Sequence, residues 1–518
     1  MSNFSYYTPT HVYFGKDTHK QVGDLVRAQG CKKVLIHFGG QSARRSGLLD
    51  QIEASLNAAN VAHVQLGGVV PNPHLSLVYQ GIDLCKKEGV DFILAVGGGS
   101  VIDSAKAIGY GMCMDGDVWD LYDHKRKAEG CLPIGVVLTI AASGSEMSDS
   151  SVITKEEGGI KRGYNDDICR PKFAVINPEL TMTLPDYQTA CGCTDILMHT
   201  MERYFVQGDA MEITDSIAEG LLRTVMAQAL ILRDDPQNYD ARAEVMWAGS
   251  LSHNGLTGCG HSESDFASHR LEHELGGMFD VAHGAGLAAV WGSWARYVYQ
   301  NCMPRFVRFA HNVMGVELGL SDDETALLGI ERMEDFFRSI HMPTSLGELG
   351  VHPTEDQLCE LAHKCKIAVG GLQVSLQKAL EHIVRRAGDT GKDEHVLALN
   401  GLPRVLTDAA AEHDVHAVLL ERAGDRRMTQ ILGRDDLARD RIEIRNVVDD
   451  KLLGAAEMLQ QNAILIRHCD LHNSNSFAFL ILRIAYHNFH HSTTGSFLSS
   501  LCKKLQSSPC VRRAFSLQ

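Results

Sequence analysis

The sequence lacks a basic excess and a long uncharged apolar segment. Its 49 Lys and Arg residues are outnumbered by 64 Asp and Glu residues, which gives a formal net charge of −15. This balance argues against a general nucleic-acid-binding protein, because phosphate binding relies on basic surface. No uncharged apolar run approaches the roughly 18 residues that a membrane helix needs, and the first residues do not have the pattern of a signal peptide.

Cysteine is also too sparse for a disulfide-stabilised protein. Fourteen cysteines are spread over 518 residues without a dense framework, a distribution typical of reduced thiols in a cytosol-like compartment. The hydrophobic content of 44% is ordinary for a globular core. We therefore expect a cytoplasmic protein that binds neither nucleic acid nor a membrane.

The first part of the chain alternates short β-rich runs with amphipathic helical stretches, a pattern that predicts βαβ units and a parallel sheet. From about residue 185 to 190 onward, long helical periods dominate, which indicates a domain boundary there. The strand candidates are residues 32–38, 62–70, 91–96 and 133–140. We expect a dinucleotide-binding domain at 1–187, an all-helical domain at 188–387 and an unassigned extension at 388–518.

Two turns rich in small residues follow predicted strands. After DFILAV come Gly97, Gly98 and Gly99, and Ser100 then opens a helix, so exposed backbone N–H groups and a helix N-terminus face one point that suits a pyrophosphate. TIAASGSE (139–146) follows a second strand. One such turn could be purely structural, but two at strand ends favour a dinucleotide crevice.

An earlier turn, GGQSARRSG, bears on the choice of cofactor. A Rossmann-like NAD site usually places an acidic residue here for the ribose 2′-hydroxyl, and this turn has none. Gly39, Gly40 and Ser42 leave room for an extra phosphate, and Arg44 and Arg45 could supply its countercharge. The turn therefore predicts NADP(H), with a solvated basic helix start as the alternative.

One carboxylate and several histidines recur at helical spacing. Asp195 and His199 are four residues apart, as are His269 and His273, and His283 follows a GGMFDVA turn. Residues at i and i+4 share one face of a helix. Such a set can bind Fe²⁺ or Zn²⁺ and leave an open position. Any single histidine among them could instead be a hydrogen-bonded core residue.

Five features together resemble the iron-containing (group III) alcohol dehydrogenase family, particularly its NADPH-dependent butanol dehydrogenase and aldehyde reductase branch. The resemblance runs from about residue 4 to about residue 371. It implies an α/β fold, dehydroquinate synthase-like, with a Rossmann-like N-terminal domain on a parallel sheet, an all-helical metal-binding domain and a metal in the cleft between them. The features are GGGSVIDSAK (97–106), TIAASGSE (139–146), PKFAVINPELTMTLP (171–185), the Asp195/His199 pair and HRLEHELGGMFDVAHG (269–284).

The resemblance also implies roles for individual residues. His273 corresponds to a cleft histidine that serves the chemistry without being a primary metal ligand. Ser143 stands where the family more often has threonine, and Asn177 where it more often has aspartate; both changes keep polar character. The implied metal ligands are Asp195, His199, His269 and His283; the implied nucleotide contacts are Gly98, Gly99, Ser100 and Asp103 at the pyrophosphate, Thr139 and Ser143 along the nucleotide, and Lys161 at the ribose.

The implied activity is hydride transfer between NADPH and a small aldehyde or primary alcohol, such as butanal or butanol, by a homodimer that contains Fe²⁺ or Zn²⁺. Two alternatives remain open. One is a related polyol dehydrogenase of the glycerol type that uses zinc and NAD. The other is a catalytically compromised protein, because the glycine-asparagine motif and final helix expected after residue 371 are absent.

The last part of the chain follows a different pattern. LQVSLQKALEHIVRRA (372–387) has apolar residues at helical spacing and could replace the missing family helix. Residues 388–465 are rich in charges of both signs, and residues from about 466 onward are poor in acids and rich in His, Ser and Phe. This composition is compatible with a poorly ordered extension or with an altered reading frame.

Overall fold

A computed structural model describes residues 1–262, 264 and 266–368, all within one unit of the chain, Met1–Val396. The expectations for 372–387 and 388–518 lie outside the described residues. Among the residues described, no helix is long and apolar enough to cross a membrane.

Six parallel strands form the sheet that the sequence predicted. The order is β1-β8-β5-β4-β2-β3, and β6 pairs with β7 as a separate antiparallel hairpin. The hairpin was not predicted, because its strands mix polar and apolar residues. The strands are β1 His11–Phe14, β2 Lys33–Phe38, β3 Ala62–Leu66, β4 Phe92–Gly97, β5 Ile134–Leu138, β6 Ser150–Lys155, β7 Ile160–Asn165 and β8 Phe173–Ile176.

Helices cover both faces of the sheet. Every residue of β4 is buried, as expected for a parallel strand between two helical layers. Side chains along β2 alternate between the layers: Ile36 packs in one apolar cluster with Ile52, whereas Leu35 packs in the other with Ile102. The continuous apolar runs of the sequence therefore reflect burial on two sides.

The described residues from Asp186 onward form helices and connecting turns, as the sequence predicted; residues 369–387 of the predicted domain lie outside them. The apolar side chains of these helices form one core cluster around Trp291, which is fully buried. The α-helices are α1 Val22–Ala28, α2 Ser42–Arg45, α3 Leu48–Ala58, α4 Leu75–Glu88, α5 Gly99–Met112, α6 Trp119–Tyr122, α7 Asp186–Tyr204, α8 Glu212–Asp234, α9 Tyr239–Ser252, α10 Ala267–Phe279, α11 His283–Val298, α12 Met303–Asn312, α13 Asp322–Ser339 and α14 Glu355–Ala368. Short 3₁₀ helices lie at Thr18–Gln21, Asp167–Cys169, Pro178–Thr181, Leu256–Gly258 and Tyr299–Cys302.

The three turns singled out in the sequence meet at one edge of the sheet. The registers pair Phe38 with Val96 and Gly97 with Leu138, so the carboxyl ends of β2, β4 and β5 lie side by side. The helices that follow β2 and β4 pack on opposite faces. Ligands of doubly wound sheets bind at such a switch point, and the hairpin strand β7 contacts α10 nearby.

Candidate metal centre and nucleotide-binding turns

Three helices bring the four implied metal ligands together. Asp195 and His199 lie on successive turns of α7, His269 lies on α10, and His283 is the first residue of α11. Oδ1 of Asp195 lies 3.3 Å from Nε2 of His199 and 3.6 Å from Nε2 of both His269 and His283. One carboxylate oxygen therefore lies close to the Nε2 atoms of three imidazole rings.

These atoms fit a divalent cation. Donor atoms of Asp195, His199 and His269 all lie within 4.8 Å of one another; His283 is not part of this compact group, although its Nε2 lies 3.6 Å from the same oxygen of Asp195. Among the described residues, Oδ1 of Asp195 and Nε2 of His269 have no hydrogen-bond partner although both are buried. Unpaired buried polar atoms are costly, and a carboxylate with imidazoles is a donor set for iron or zinc.

The buried imidazoles differ in their affinity for protons. Burial, reinforced by the neighbouring His253 and His269, holds the pKa of His199 well below its usual value. Burial also opposes a charge on His269, but the nearby carboxylates of Asp195 and Glu202 outweigh it and raise the pKa of His269 to about 9. The carboxylates of Asp195 and Glu202 therefore favour a positive charge at His269, and a metal ion on the ring could take the place of the proton.

Two further carboxylates orient the ligand histidines. Glu272 on α10 is hydrogen-bonded to Nδ1 of His283. Glu202 on α7 accepts the backbone N–H of His269 at 3.1 Å, and its Oε1 lies 3.5 Å from Nδ1 of the same ring. Metal-ligating histidines commonly direct their second nitrogen to such a carboxylate, which fixes the tautomer and the ring orientation. Neither glutamate was predicted from the sequence.

His253 is another site residue that the sequence reasoning missed. It follows α9, and its ring centroid lies 3.9 Å from that of His199. Nη2 of Arg203 lies 2.9 Å from Nδ1 of His253; because a guanidinium can only donate, that nitrogen accepts and Nε2 carries the proton. Burial, followed by Arg203, lowers the pKa of His253 well below its usual value. No local pattern could reveal a contact made across two helices.

His273 lies one turn beyond His269, as its spacing predicted. Its ring centroid is 5.9 Å from that of His283, and the residue is partly exposed. Burial and the nearby Lys161 ammonium lower its pKa well below the usual value, so the imidazole is neutral. His273 is thus beside the compact cluster and not within it.

The glycine turn after β4 packs directly on the turn after β5. A Cβ atom at Gly98 would meet Cγ2 of Ile140 at 2.1 Å, and one at Gly99 would meet Oγ of Ser143 at 2.2 Å. The two turns can approach this closely only because both positions are glycine. Oγ of Ser143 is buried without a partner among the described residues. Gly98 precedes α5, so the N-terminus of that helix, including Ser100, opens at the junction with Thr139.

Asp103 and Lys106 hold the second turn from the other side. Asp103 accepts from Oγ of Ser145 at 2.6 Å and from the backbone N–H of Val152 at 3.2 Å. Burial raises the pKa of Asp103, against the charge of Lys106. Lys106 is fully buried and donates to the backbone oxygens of Ser145, Ser148 and Ser150 at 2.7, 3.0 and 2.7 Å. The structure thus places Asp103 where it braces the turn, and Lys106 is a contributor that was not predicted.

The turn after β2 is the most exposed part of the site. Gly40, Ser42 and both arginines are exposed, and Gly39 is partly exposed. Nη2 of Arg44 donates to Oε1 of Gln65 at 2.8 Å, and its guanidinium lies 5.1 Å from the centroid of the Phe38 ring. Arg44 therefore has a defined position at the end of β2, next to the open space around Gly40.

Lys161 lies on the hairpin strand β7, and its side chain points into the helical part. Nζ donates to Oε2 of Glu272 at 3.0 Å and lies 3.4 Å from Nδ1 of His283. The side chain is 5% exposed. In the described structure, Lys161 therefore contacts the carboxylate that holds a candidate metal ligand.

Two family descriptions match this chain. The description "Iron-containing alcohol dehydrogenase" matches residues 9–178, and "Fe-containing alcohol dehydrogenase family, C-terminal" matches residues 189–387. Together they cover well over half of the sequence. The second match extends past residue 371, where the resemblance was expected to end, and residues 388–518 lie outside both.

Individual relatives agree with the family descriptions. The chain is 38% identical over 378 residues to NADH-dependent butanol dehydrogenase A of Clostridium acetobutylicum, covering 73% of this chain and 96% of that protein. It is 34% identical over 354 residues to the NADPH-dependent aldehyde reductase YqhD of Escherichia coli, covering 68% and 90%. The solved structure of NADH-dependent butanol dehydrogenase A from Thermotoga maritima superposes with a TM-score of 0.71 at 36% identity, covering 75% of this chain and 99% of that one.

Proposed function

The chain belongs to the iron-containing alcohol dehydrogenase family, and we propose that it reduces small aldehydes to primary alcohols with NADPH and catalyses the reverse oxidation. Family membership makes it an NAD(P)-dependent alcohol dehydrogenase or aldehyde reductase. The preference for NADPH, the use of a substrate such as butanal and the residue roles are the proposal. The observation that carries it is the carboxylate oxygen of Asp195 shared by three histidine nitrogens.

We assign Fe²⁺, with Zn²⁺ as the alternative, to Asp195, His199, His269 and His283. When bound, such an ion supplies a Lewis acid that polarises the carbonyl of an aldehyde. The side chains of Asp195, His199 and His269 are at most 7% exposed, whereas that of His283 is 26% exposed. The substrate would therefore reach the site beside His283, and the buried residues would exclude water from the other side.

His273 is suited to transfer a proton to or from the oxygen of the substrate. A neutral imidazole has one N–H group that can hydrogen-bond to the oxygen of the substrate, and partial exposure lets the ring regain a proton from water. Positioned proton transfer of this kind contributes about 10²- to 10⁴-fold to a rate. We therefore expect His273 to affect turnover far more than metal content.

The turns at the sheet edge are the proposed nucleotide site. Backbone N–H groups at Gly98, Gly99 and Ser100 would receive the pyrophosphate at the N-terminus of α5, with Thr139 and Ser143 lining the same crevice. Asp103 supports this site through its bond to Ser145.

The turn formed by Gly39, Gly40, Ser42, Arg44 and Arg45 would receive the 2′-phosphate of NADPH. The defined position of Arg44 and the open space at Gly40 support this assignment. Two relatives, at 38% and 39% identity, are named as NADH-dependent and favour NADH instead. The preference for NADPH over NADH therefore distinguishes our proposal from the NAD-dependent alternative. A catalytically compromised protein is disfavoured, because all four candidate ligands are present and face one another.

We also propose that the protein is a cytoplasmic homodimer. Eight cysteines of the described part of the chain, among them Cys85 and Cys193, are free thiols, which supports a reducing compartment. Light scattering of the purified protein would determine the oligomeric state.

The first prediction tests the metal centre directly. Replacing His269 by alanine should reduce bound iron or zinc by about tenfold or more, since even residues that only orient a ligand change metal affinity by 10- to 100-fold. Butanal reduction by NADPH should fall with it. His273→Ala should keep most of the metal and lower kcat by about 10²-fold or more. Elemental analysis and initial rates measure both effects.

His363→Ala provides the control, because His363 is an exposed histidine on α14. It should retain both metal and turnover. Full retention of metal and activity in His269→Ala would contradict the proposed centre. Equal metal loss in His269→Ala and His273→Ala would show that the roles of the two residues are not distinct.

A further inference from the structure

The geometry points to Lys161 and Glu272 as positioning residues for the metal ligand His283, so that the β6–β7 hairpin helps to set the metal affinity of the site. This inference rests on the proposed function, in which His283 is a ligand. It assigns to Lys161 a role other than the ribose contact that the family resemblance implies. The following contacts carry it.

The three groups form a closed triangle on three different elements. Oε2 of Glu272, on α10, bonds both to Nδ1 of His283, on α11, and to Nζ of Lys161, on β7. The third side, from Nζ of Lys161 to Nδ1 of His283, is 3.4 Å. Glu272 is fully buried and Lys161 nearly so. A single oxygen of the Glu272 carboxylate thus contacts both partners.

Glu272 determines which nitrogen of His283 is free for a metal. An ionised carboxylate can only accept a hydrogen bond, so Nδ1 of His283 carries the proton and Nε2 presents its lone pair. That nitrogen faces Oδ1 of Asp195 at 3.6 Å. Two donors, Nδ1 of His283 and Nζ of Lys161, converge on Oε2 of Glu272, which is the arrangement expected of an ionised carboxylate that accepts from both.

Lys161 supplies the positive charge of this triangle. A buried carboxylate beside a neutral imidazole would otherwise lack a countercharge, and an unpaired buried charge is strongly destabilising. The ammonium group donates to Oε2 of Glu272 at 3.0 Å and lies next to the same ring nitrogen of His283 that the carboxylate contacts. Because its side chain is only 5% exposed, a ribose hydroxyl could reach Lys161 only if this contact opened. The lysine therefore acts on the metal site through Glu272.

The same hairpin and helix contain a matched ion pair without a ligand histidine. Nη1 of Arg162 lies 2.8 Å from Oε1 of Glu274, with side-chain exposures of 16% and 2%. Backbone packing adds to this docking, since a Cβ atom at Gly277 would lie 2.4 Å from the carbonyl oxygen of Gly159. The Arg162/Glu274 pair thus contributes to attachment of the hairpin but contacts none of the four candidate metal ligands in the described structure. Variants of this pair therefore distinguish attachment of the hairpin from positioning of His283.

The test measures the affinity of the full-length protein for Zn²⁺ after metal removal, in competition with a chromophoric chelator. Glu272→Gln and Lys161→Gln should each weaken Zn²⁺ binding by about 10- to 100-fold, the usual effect of removing a group that orients a ligand. Lys161→Arg should recover most of the affinity, because it restores the charge and the donor. Co²⁺ absorption spectra should change in the two weakened variants, since the orientation of His283 changes.

Arg162→Gln and Glu274→Gln are the controls. They should lower the midpoint of chemical unfolding but keep Zn²⁺ affinity within about twofold, because neither side chain contacts a candidate ligand and Arg162 meets Lys161 only at its backbone oxygen. Equal weakening by Arg162→Gln and Lys161→Gln would reduce the effect to general docking and overturn the inference. So would unchanged Zn²⁺ affinity in Lys161→Gln together with weaker NADPH binding, which would instead place Lys161 in the nucleotide site.

The outcomes also distinguish this inference from the proposed function. If the unmodified protein bound no stoichiometric Zn²⁺ or Fe²⁺, the metal centre itself would be refuted, and the inference with it. If the unmodified protein bound the ion and both positioning variants bound it equally well, only the inference would fail. Should Glu272→Gln not fold, the comparison of Lys161→Gln with Lys161→Arg decides the question.

Discussion

Substitution of Gly98 by alanine tests whether the turn after β4 binds the nucleotide or only shapes the chain. The backbone at Gly98, with φ of −98° and ψ of −165°, is open to any residue, so alanine adds no backbone strain. The cost is steric, because the new Cβ would lie 2.1 Å from Cγ2 of Ile140. Carbon atoms in contact prefer about 3.5 to 4.0 Å, so one turn must retreat by roughly 1.5 Å.

The magnitude follows from the limited freedom of Ile140. Its Cγ2 is attached directly to Cβ, and therefore it can move only by a χ1 rotation or a shift of the turn that begins at Thr139. Overpacking of this kind typically costs about 1 to 3 kcal/mol, which corresponds to about 5- to 150-fold in an equilibrium constant. We expect the dissociation constants of NADPH and NADH to rise in the same ratio, because both share the pyrophosphate.

The assay is a fluorescence titration with each reduced nicotinamide, combined with chemical unfolding of the same samples. Gly40→Ala is the matched control, since a Cβ atom there meets nothing within 4 Å, and its NADH affinity should stay within about twofold. If Gly98→Ala lowered the unfolding midpoint but bound both nucleotides with unchanged affinity, the turn would be structural only. The nucleotide assignment of Gly98, Gly99 and Ser100 would then be refuted.

Two further predictions concern β2 and the turn that follows it. Burial lowers the pKa of His37 from 6.5 to about 4. Between these two pH values, His37 is therefore protonated in the unfolded chain but neutral in the folded protein. Neutral His37 contributes fully to the free energy of unfolding above pH 6.5, and this contribution should fall by about 3 kcal/mol as the pH drops to 4. In urea unfolding, the free energy of unfolding of His37→Gln should therefore depend less steeply on pH than that of the unmodified protein. Identical pH dependences would contradict this. For the cofactor, we expect a higher kcat/KM with NADPH than with NADH, and Arg44→Ala should erode that preference through loss of a charge-assisted contact worth about 1.5 to 3 kcal/mol. Arg45→Ala should erode the preference in the same way, and an unmodified enzyme that prefers NADH would refute the 2′-phosphate assignment.

Local sequence patterns were sufficient to predict the elements that carry the site. The apolar run before Gly97 becomes β4 because a strand buried on both faces needs continuous apolar side chains. Asp195 and His199 share a face of α7 because their spacing matches the helical period. The residue types at the metal centre could likewise be selected from the sequence, since only a few side chains can bind iron or zinc.

Contacts between distant segments could not be predicted in this way. Glu202 and Glu272 look like ordinary helical glutamates in the sequence, yet each is buried against a candidate ligand histidine. His253 lies 54 positions along the chain from His199, and the close contact of their rings depends on how α7 and α9 pack. Such contacts are set by the packing of whole helices, and the sequence pattern of one helix does not contain that information.

The sequence by itself determined the chemical inventory: a glycine turn after a buried strand, a carboxylate and histidines at helical spacing, and no acidic residue in the turn after β2. Only the tertiary structure decided which of these charged and polar side chains contact one another. It places Asp103 and Lys106 behind the turn at Ser145, and it directs Lys161 from the hairpin to Glu272. The physical reason is that periodicity depends on neighbours along the chain, whereas a buried charge takes whichever countercharge the packing of separate elements brings within about 3 Å.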